Sequence, residues 1–96
     1  MTREEVHQEV RQFILKNFLF DQQVPLEDTR SLLDTGVVDS TGILELIGYL
    51  EKQYQIRFGD EELVATNFDT VKGIESIVWQ KLRERAAVLG PSESRL

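Results

Sequence analysis

The chain has 96 residues, 41% hydrophobic and 29% charged, which suits one small soluble domain with a modest core and excludes two domains. Without a single cysteine it has no disulfide scaffold, thiolate metal site or cysteine nucleophile. Seventeen acidic against eleven basic residues give a net charge of −6, which argues against nucleic acid, whose binding is driven by cations neutralising phosphates, and favours basic partners.

No apolar run approaches the roughly 18 to 20 residues of a membrane span, and residues 1–12 are too polar for a signal peptide, so a cytoplasmic, soluble protein without a membrane span is expected. There is no internal repeat or low-complexity tract. Thr2 is placed to cap a helix, with Glu5 three residues on to close a capping box. Val6, Val10, Phe13, Ile14 and Phe18 then keep to one face of a 3.6-residue period, predicting helix 1 over about residues 3–19.

Over residues 21–39 the period vanishes and Pro25 and Gly36 punctuate the chain, yet Val24, Leu26, Leu32, Leu33, Val37 and Val38 give the segment enough apolar surface to lie on a core. A connection this long is uncommon without a function, and a helical turn near residues 28–32 would shorten it. Ile43, Leu46, Ile47, Leu50 and Tyr54 restore helical spacing over residues 40–54; Gly42 and Gly48 each cost this helix 2 up to about 1 kcal/mol, so packing must hold it. Residues 56–58 alternate like a strand with nothing to pair with, and Gly59-Asp60 introduces a brief acidic helix from Glu61 to about Thr66. Asp69 or Thr70 caps a last helix carrying Val71, Ile74, Ile77, Val78 and Leu82 to about Ala87. Beyond it Gly90-Pro91-Ser92 breaks the helix. The expected fold is all-α: a small four-helix bundle of three longer helices and one short one, with a long loop between helices 1 and 2, formed by residues 1–87 and followed by a loose tail over 88–96.

Catalysis has few places to reside. His7 is the only histidine and is expected at the surface, with nothing in the pattern to bring it to a serine, so a hydrolase lacks its base and an enzyme is not expected. Residues 34–39 lack the spacing and the terminal glutamate of a calcium loop, no phosphate loop is present, and no metal site is assigned. What remains is Asp39-Ser40, where the long loop meets helix 2. Either residue serves as a helix N-cap. Yet Gly42 and Ile43 stand where a capping box needs Glu or Gln, and the helix N-terminus favours a covalently attached phosphate ester.

The stretch Leu32-Leu33-Asp34-Thr35-Gly36-Val37-Val38-Asp39-Ser40-Thr41-Gly42-Ile43-Leu44-Glu45-Leu46 resembles the attachment region of acyl carrier proteins and their D-alanyl and peptidyl relatives. The order of elements over residues 3–86 agrees with it. The resemblance implies that Ser40 receives 4′-phosphopantetheine from coenzyme A by the action of a phosphopantetheinyl transferase, and that Asp39 helps hold the magnesium ion used in that transfer. The version Thr-Gly-Val-Val-Asp-Ser-x-Gly is most similar to discrete carriers of the D-alanyl type, which implies loading by an adenylate-forming acyl or aminoacyl ligase and delivery to a downstream acyltransferase. The chain would act as a monomeric, covalently loaded co-substrate, presenting its cargo as a thioester. The cargo and the pathway are set by those enzymes.

The helical period leaves Thr41, Leu44, Glu45, Gly48 and Glu51 on or near the outer face of helix 2, where partner enzymes would dock. Residues 27–69 hold ten acids and three bases, a net −7, so the chain's acidity is confined to the segment around Ser40, where it would steer basic surfaces. The alternative is a small acidic helical interaction module without a prosthetic group, in which Asp39-Ser40 is only a helix cap.

Overall fold

Thr2 opens the first helix in the computed structural model, which describes residues 2–19 and 26–89, with side chains to residue 85. Its hydroxyl accepts the amide hydrogen of Glu5, whose carboxylate accepts that of Thr2, completing the expected capping box. Helix α1 spans Arg3–Phe18, α2 spans Ser40–Tyr54, a 3₁₀ turn spans Asp60–Glu62, α3 spans Ala65–Phe68 and α4 spans Val71–Leu89. The all-α expectation of three longer helices and a short one holds, and no strand occurs among the described residues. α4 runs past the expected end near Ala87, so residues 88 and 89 of the predicted tail are helical; the rest of that tail, Pro25 and the loop start at residues 21–24 lie outside the described residues.

The core forms where the apolar stripes meet. Val6, Val10 and Ile14 of α1, Leu46 and Leu50 of α2, and Val71, Ile74 and Val78 of α4 are fully buried, with Phe68 of α3 closing one end. Each such side chain contributes about 1.5–3 kcal/mol through its removal from water. α1 and α2 are also joined by the stacked rings of Phe13 and Tyr49, with centroids 3.8 Å apart, and by the Tyr54 hydroxyl, which donates to Glu9 at 2.7 Å. Burial pushes the Tyr54 phenol well above its ordinary range, and the Glu9 carboxylate adds to the shift. Arg3 ties the start of α1 to α4 through Glu75 and Ser76, and half-buried Trp79 stands beside this junction.

Two local expectations are corrected by hydrogen bonds made elsewhere in the fold. The helical turn expected near residues 28–32 is reduced to a single turn in which Arg30 N–H donates to the Glu27 carbonyl at 3.3 Å; it does not continue to residue 32, because Lys72 N–H donates to the Asp28 carbonyl at 2.9 Å and Leu32 N–H to the Asp69 carbonyl at 2.6 Å. The loop instead turns at residues 32–36, where Gly36 takes φ +76°, a conformation that suits glycine, and it buries Leu32, Val37 and Val38. Residues 56–58 alternate as expected, with Ile56 and Phe58 buried and Arg57 exposed, and they form extended chain with no strand beside them among the described residues. The acidic helix expected over residues 61–66 is divided into the 3₁₀ turn and α3, separated by Leu63 and Val64. Glu62 Oε1 accepts Gly59 N–H at 2.7 Å and the Glu62 carbonyl accepts from the Asn67 side chain at 2.9 Å, fixing that break.

His7 is a further correction. It is mostly covered rather than a surface residue, with Nε2 3.0 Å from Asp28 Oδ2, while Arg11 donates to Asp28 Oδ1 at 3.0 Å and to the Leu26 carbonyl at 2.7 Å. These bonds clamp the long loop onto α1. The bond to Asp28 raises the His7 pKa, and the same bond lowers that of Asp28.

Candidate functional site

Asp39 is the N-cap of α2: its backbone is extended, and its Oδ1 accepts Gly42 N–H at 2.7 Å. Ser40 is therefore the first helical residue and is exposed, with the capping task taken by its neighbour. The Ile43 amide donates to the Asp39 carbonyl at 2.9 Å, so the first turn is closed while the amides of Ser40 and Thr41 stand outside the helix's own bonding. An anion attached at this serine meets the positive end of the helix dipole.

Gly42 explains how α2 can start here. A Cβ at this buried position would lie 2.8 Å from Val38 Cγ1 and 2.9 Å from Phe18 Cε1, so glycine permits the close approach of loop, α1 and α2 that fixes the first turn. Gly48 is different: it is exposed, open space surrounds its missing Cβ, and nothing in the structure requires glycine there.

Ser40 lines one edge of an apolar groove of about 230 Å³. One wall is α2, through Ile43, Leu44 and Ile47; the other is Leu63, Val64, Ala65 and Phe68, with Leu33 of the loop closing the end nearest the motif. Leu44 is 70% exposed, Leu63 43% and Val64 45%, and these are the exposed large hydrophobic residues among those described. Their gathering beside one serine is the apolar surface an otherwise charged chain leaves open. The second wall was missed in the sequence because Leu63-Val64 was absorbed into a supposed acidic helix; the adjacent apolar pair was its only signal.

Of the outer-face residues expected on α2, Thr41, Leu44, Glu45 and Gly48 are exposed together. Glu51 departs from them: it is half-buried, and its Oε2 accepts Phe58 N–H at 3.1 Å, tying the end of α2 to the extended segment. The acidity is divided in the same way. Asp28 is spent on His7 and Arg11, Glu27 on Arg30 and Glu62 on Lys81, whereas Asp34, Asp39, Glu45, Asp60 and Glu61 form no ion pair among the described residues. The Gly59 amide and the Lys81 ammonium together hold the Glu62 carboxyl below its ordinary range.

His7 is not among the groove residues, and no cluster of three or more metal-ligating side chains occurs among the described residues. No helix among them is long and apolar enough to cross a membrane. No protein-family model matches the chain. Over 70 residues it is 29% identical to a probable acyl carrier protein, PigG, of Serratia sp., an alignment covering 73% of this chain and 79% of that protein. That similarity bears out the resemblance to acyl carrier proteins drawn from the motif around Ser40.

Proposed function

We propose that the chain is a discrete acyl carrier protein that holds an acyl or aminoacyl group as a thioester on 4′-phosphopantetheine attached to Ser40. The observation that carries this reading is the placement of Ser40: exposed, first in a capped helix, and at the edge of the groove that gathers the exposed apolar side chains. Similarity to a probable acyl carrier protein supports the carrier role in general.

The residues present fit the prosthetic group. Ser40 offers an uncovered hydroxyl to a transferase, and the amides of Ser40 and Thr41 favour the charge of a phosphodiester. When bound, the group supplies the terminal thiol that a chain without cysteine lacks. Asp39 spends one carboxylate oxygen on Gly42, and the other is available to a magnesium ion brought by the transferase. The chain itself positions an oxygen; the chemistry belongs to its partners. We assign as partners a phosphopantetheinyl transferase, an adenylate-forming ligase and a downstream acyltransferase, docking on Thr41, Leu44, Glu45 and Gly48 with the protein acting as a cytoplasmic monomer. The D-alanyl-like motif supports the ligase class.

The test is incubation with coenzyme A, magnesium and a broad-specificity phosphopantetheinyl transferase, followed by intact mass measurement. The expected result is a gain of one phosphopantetheinyl group that disappears in Ser40→Ala. No gain with several transferases overturns the carrier reading and leaves an acidic interaction module.

A further inference from the structure

Of the two caps expected for the last helix, Asp69 or Thr70, it is Thr70 that serves, its Oγ1 accepting Gly73 N–H at 2.9 Å. Asp69 instead turns three acceptors toward the loop that precedes Ser40. Its carbonyl accepts Leu32 N–H at 2.6 Å, its Oδ1 accepts Leu33 N–H at 2.9 Å, and its Oδ2 accepts the Ser31 hydroxyl at 2.6 Å.

The bonds continue toward the site. Ser31 Oγ accepts Asp34 N–H at 2.9 Å, and the Leu32 carbonyl accepts Val38 N–H at 3.1 Å, next to the N-cap Asp39. At the same time Leu33, held by Asp69, and Phe68, its chain neighbour, both line the groove at Ser40. One residue at the α3–α4 junction thus ties the approach of the chain to Ser40 and the Leu33 end of the groove to the wall that holds Phe68.

Building on the carrier reading, we propose that Asp69 is a positioning residue for Ser40: it holds the loop in the one arrangement that a modifying or loading enzyme recognises. Nothing in Asp69 touches the reacting atoms. Its effect is on the fraction of molecules whose Ser40 is correctly presented, and the apparent affinity of a partner falls in proportion to that fraction.

The experiment compares wild type with Asp69→Ala, Asp69→Asn and Ser31→Ala. Transferase kinetics are read by intact mass and backbone amide exchange by NMR at Leu33, Val38 and Ser40. If loss of the carboxylate leaves about a tenth of the molecules competent, Asp69→Ala raises the KM for the carrier about tenfold with kcat changed less than about twofold. Asp69→Asn, which retains an oxygen for Leu33 N–H, restores most of the KM, and Ser31→Ala lies between them. Exchange at Leu33 and Val38 rises in step with KM, while amides in the middle of α1 and α4 keep their protection.

A folded Asp69→Ala protein with wild-type KM overturns the proposal and leaves the carrier reading intact, since wild type is still modified. If Asp69→Ala fails to fold, Ser31→Ala decides: wild-type KM together with faster exchange at Leu33 overturns the proposal. Absence of modification in wild type overturns the carrier reading itself, and the role of Asp69 with it.

Discussion

The Asp39 carboxylate accepts the Gly42 amide at 2.7 Å, and Gly42 in turn lets Val38 and Phe18 close on the same helical turn. The residue next to the exposed serine is thus bonded to the residue that allows α2 to sit against α1. Capping, packing and presentation of Ser40 are consequences of one turn of chain.

Asp39 has two separable tasks. Asp39→Ala should cost about 1 kcal/mol by urea unfolding, the usual value of a lost cap, while Asp39→Asn should cost only a few tenths because its amide oxygen still accepts from Gly42. Transfer of phosphopantetheine should slow in both variants, since neither keeps a carboxylate for magnesium. Equal transfer rates in all three proteins would remove Asp39 from that step.

The two glycines of α2 should respond with opposite signs. Gly42→Ala forces a Cβ within 3 Å of Val38 and Phe18 and should destabilise by about 1–2 kcal/mol, overpacking exceeding the gain in helix propensity. Gly48→Ala meets open space and should stabilise by up to about 1 kcal/mol. Denaturant midpoints measure both.

Stability should depend on pH through the clamp between His7 and Asp28. The His7 pKa is raised above its ordinary 6.5 by the bond to Asp28, so its contribution is complete below pH 6.5 and is lost as pH rises through the folded value. Asp28 is lowered from 3.8, so its contribution is present above that value and is lost as pH falls through the folded one. Glu4 and Glu75 also face His7, and Arg11 shares Asp28. Thermal midpoints of wild type should fall as pH rises from 6.5 through the raised folded value of His7, and His7→Gln should flatten that fall.

The apolar groove should matter to partners more than to folding. Leu44→Ser and Leu63→Ser alter exposed side chains, so stability should stay within about 0.5 kcal/mol of wild type with helicity unchanged. Both should slow loading by the ligase, as should Glu45→Lys on the adjoining acidic surface. Wild-type rates in all three would place the docking surface elsewhere.

The helices were legible because their signal is local. Val6, Val10 and Ile14, or Leu46 and Leu50, repeat at the period of the element that buries them, and a capping residue marks where each begins. The place of Ser40 at the start of α2 was legible through the residues immediately around it. His7 and Asp69 were not, because each depends on a partner far along the chain: His7 on Asp28, 21 positions away, and Asp69 on Ser31, 38 positions away. A polar residue bonded at such a distance looks, in the sequence, like any other surface residue or helix cap. The Leu63-Val64 pair was hidden differently, by a break in the acidic segment set by the side chains of Glu62 and Asn67.

The single tryptophan of the chain, Trp79, stands at the α1–α4 junction with Arg3 and Ser76 and shares no lining residue with the groove at Ser40. Its emission is expected to follow the parting of α1 from α4 rather than a change at Ser40. The protein carries its own optical gauge of folding, and unfolding curves of wild type and its Ser40 variants can be compared without an added label.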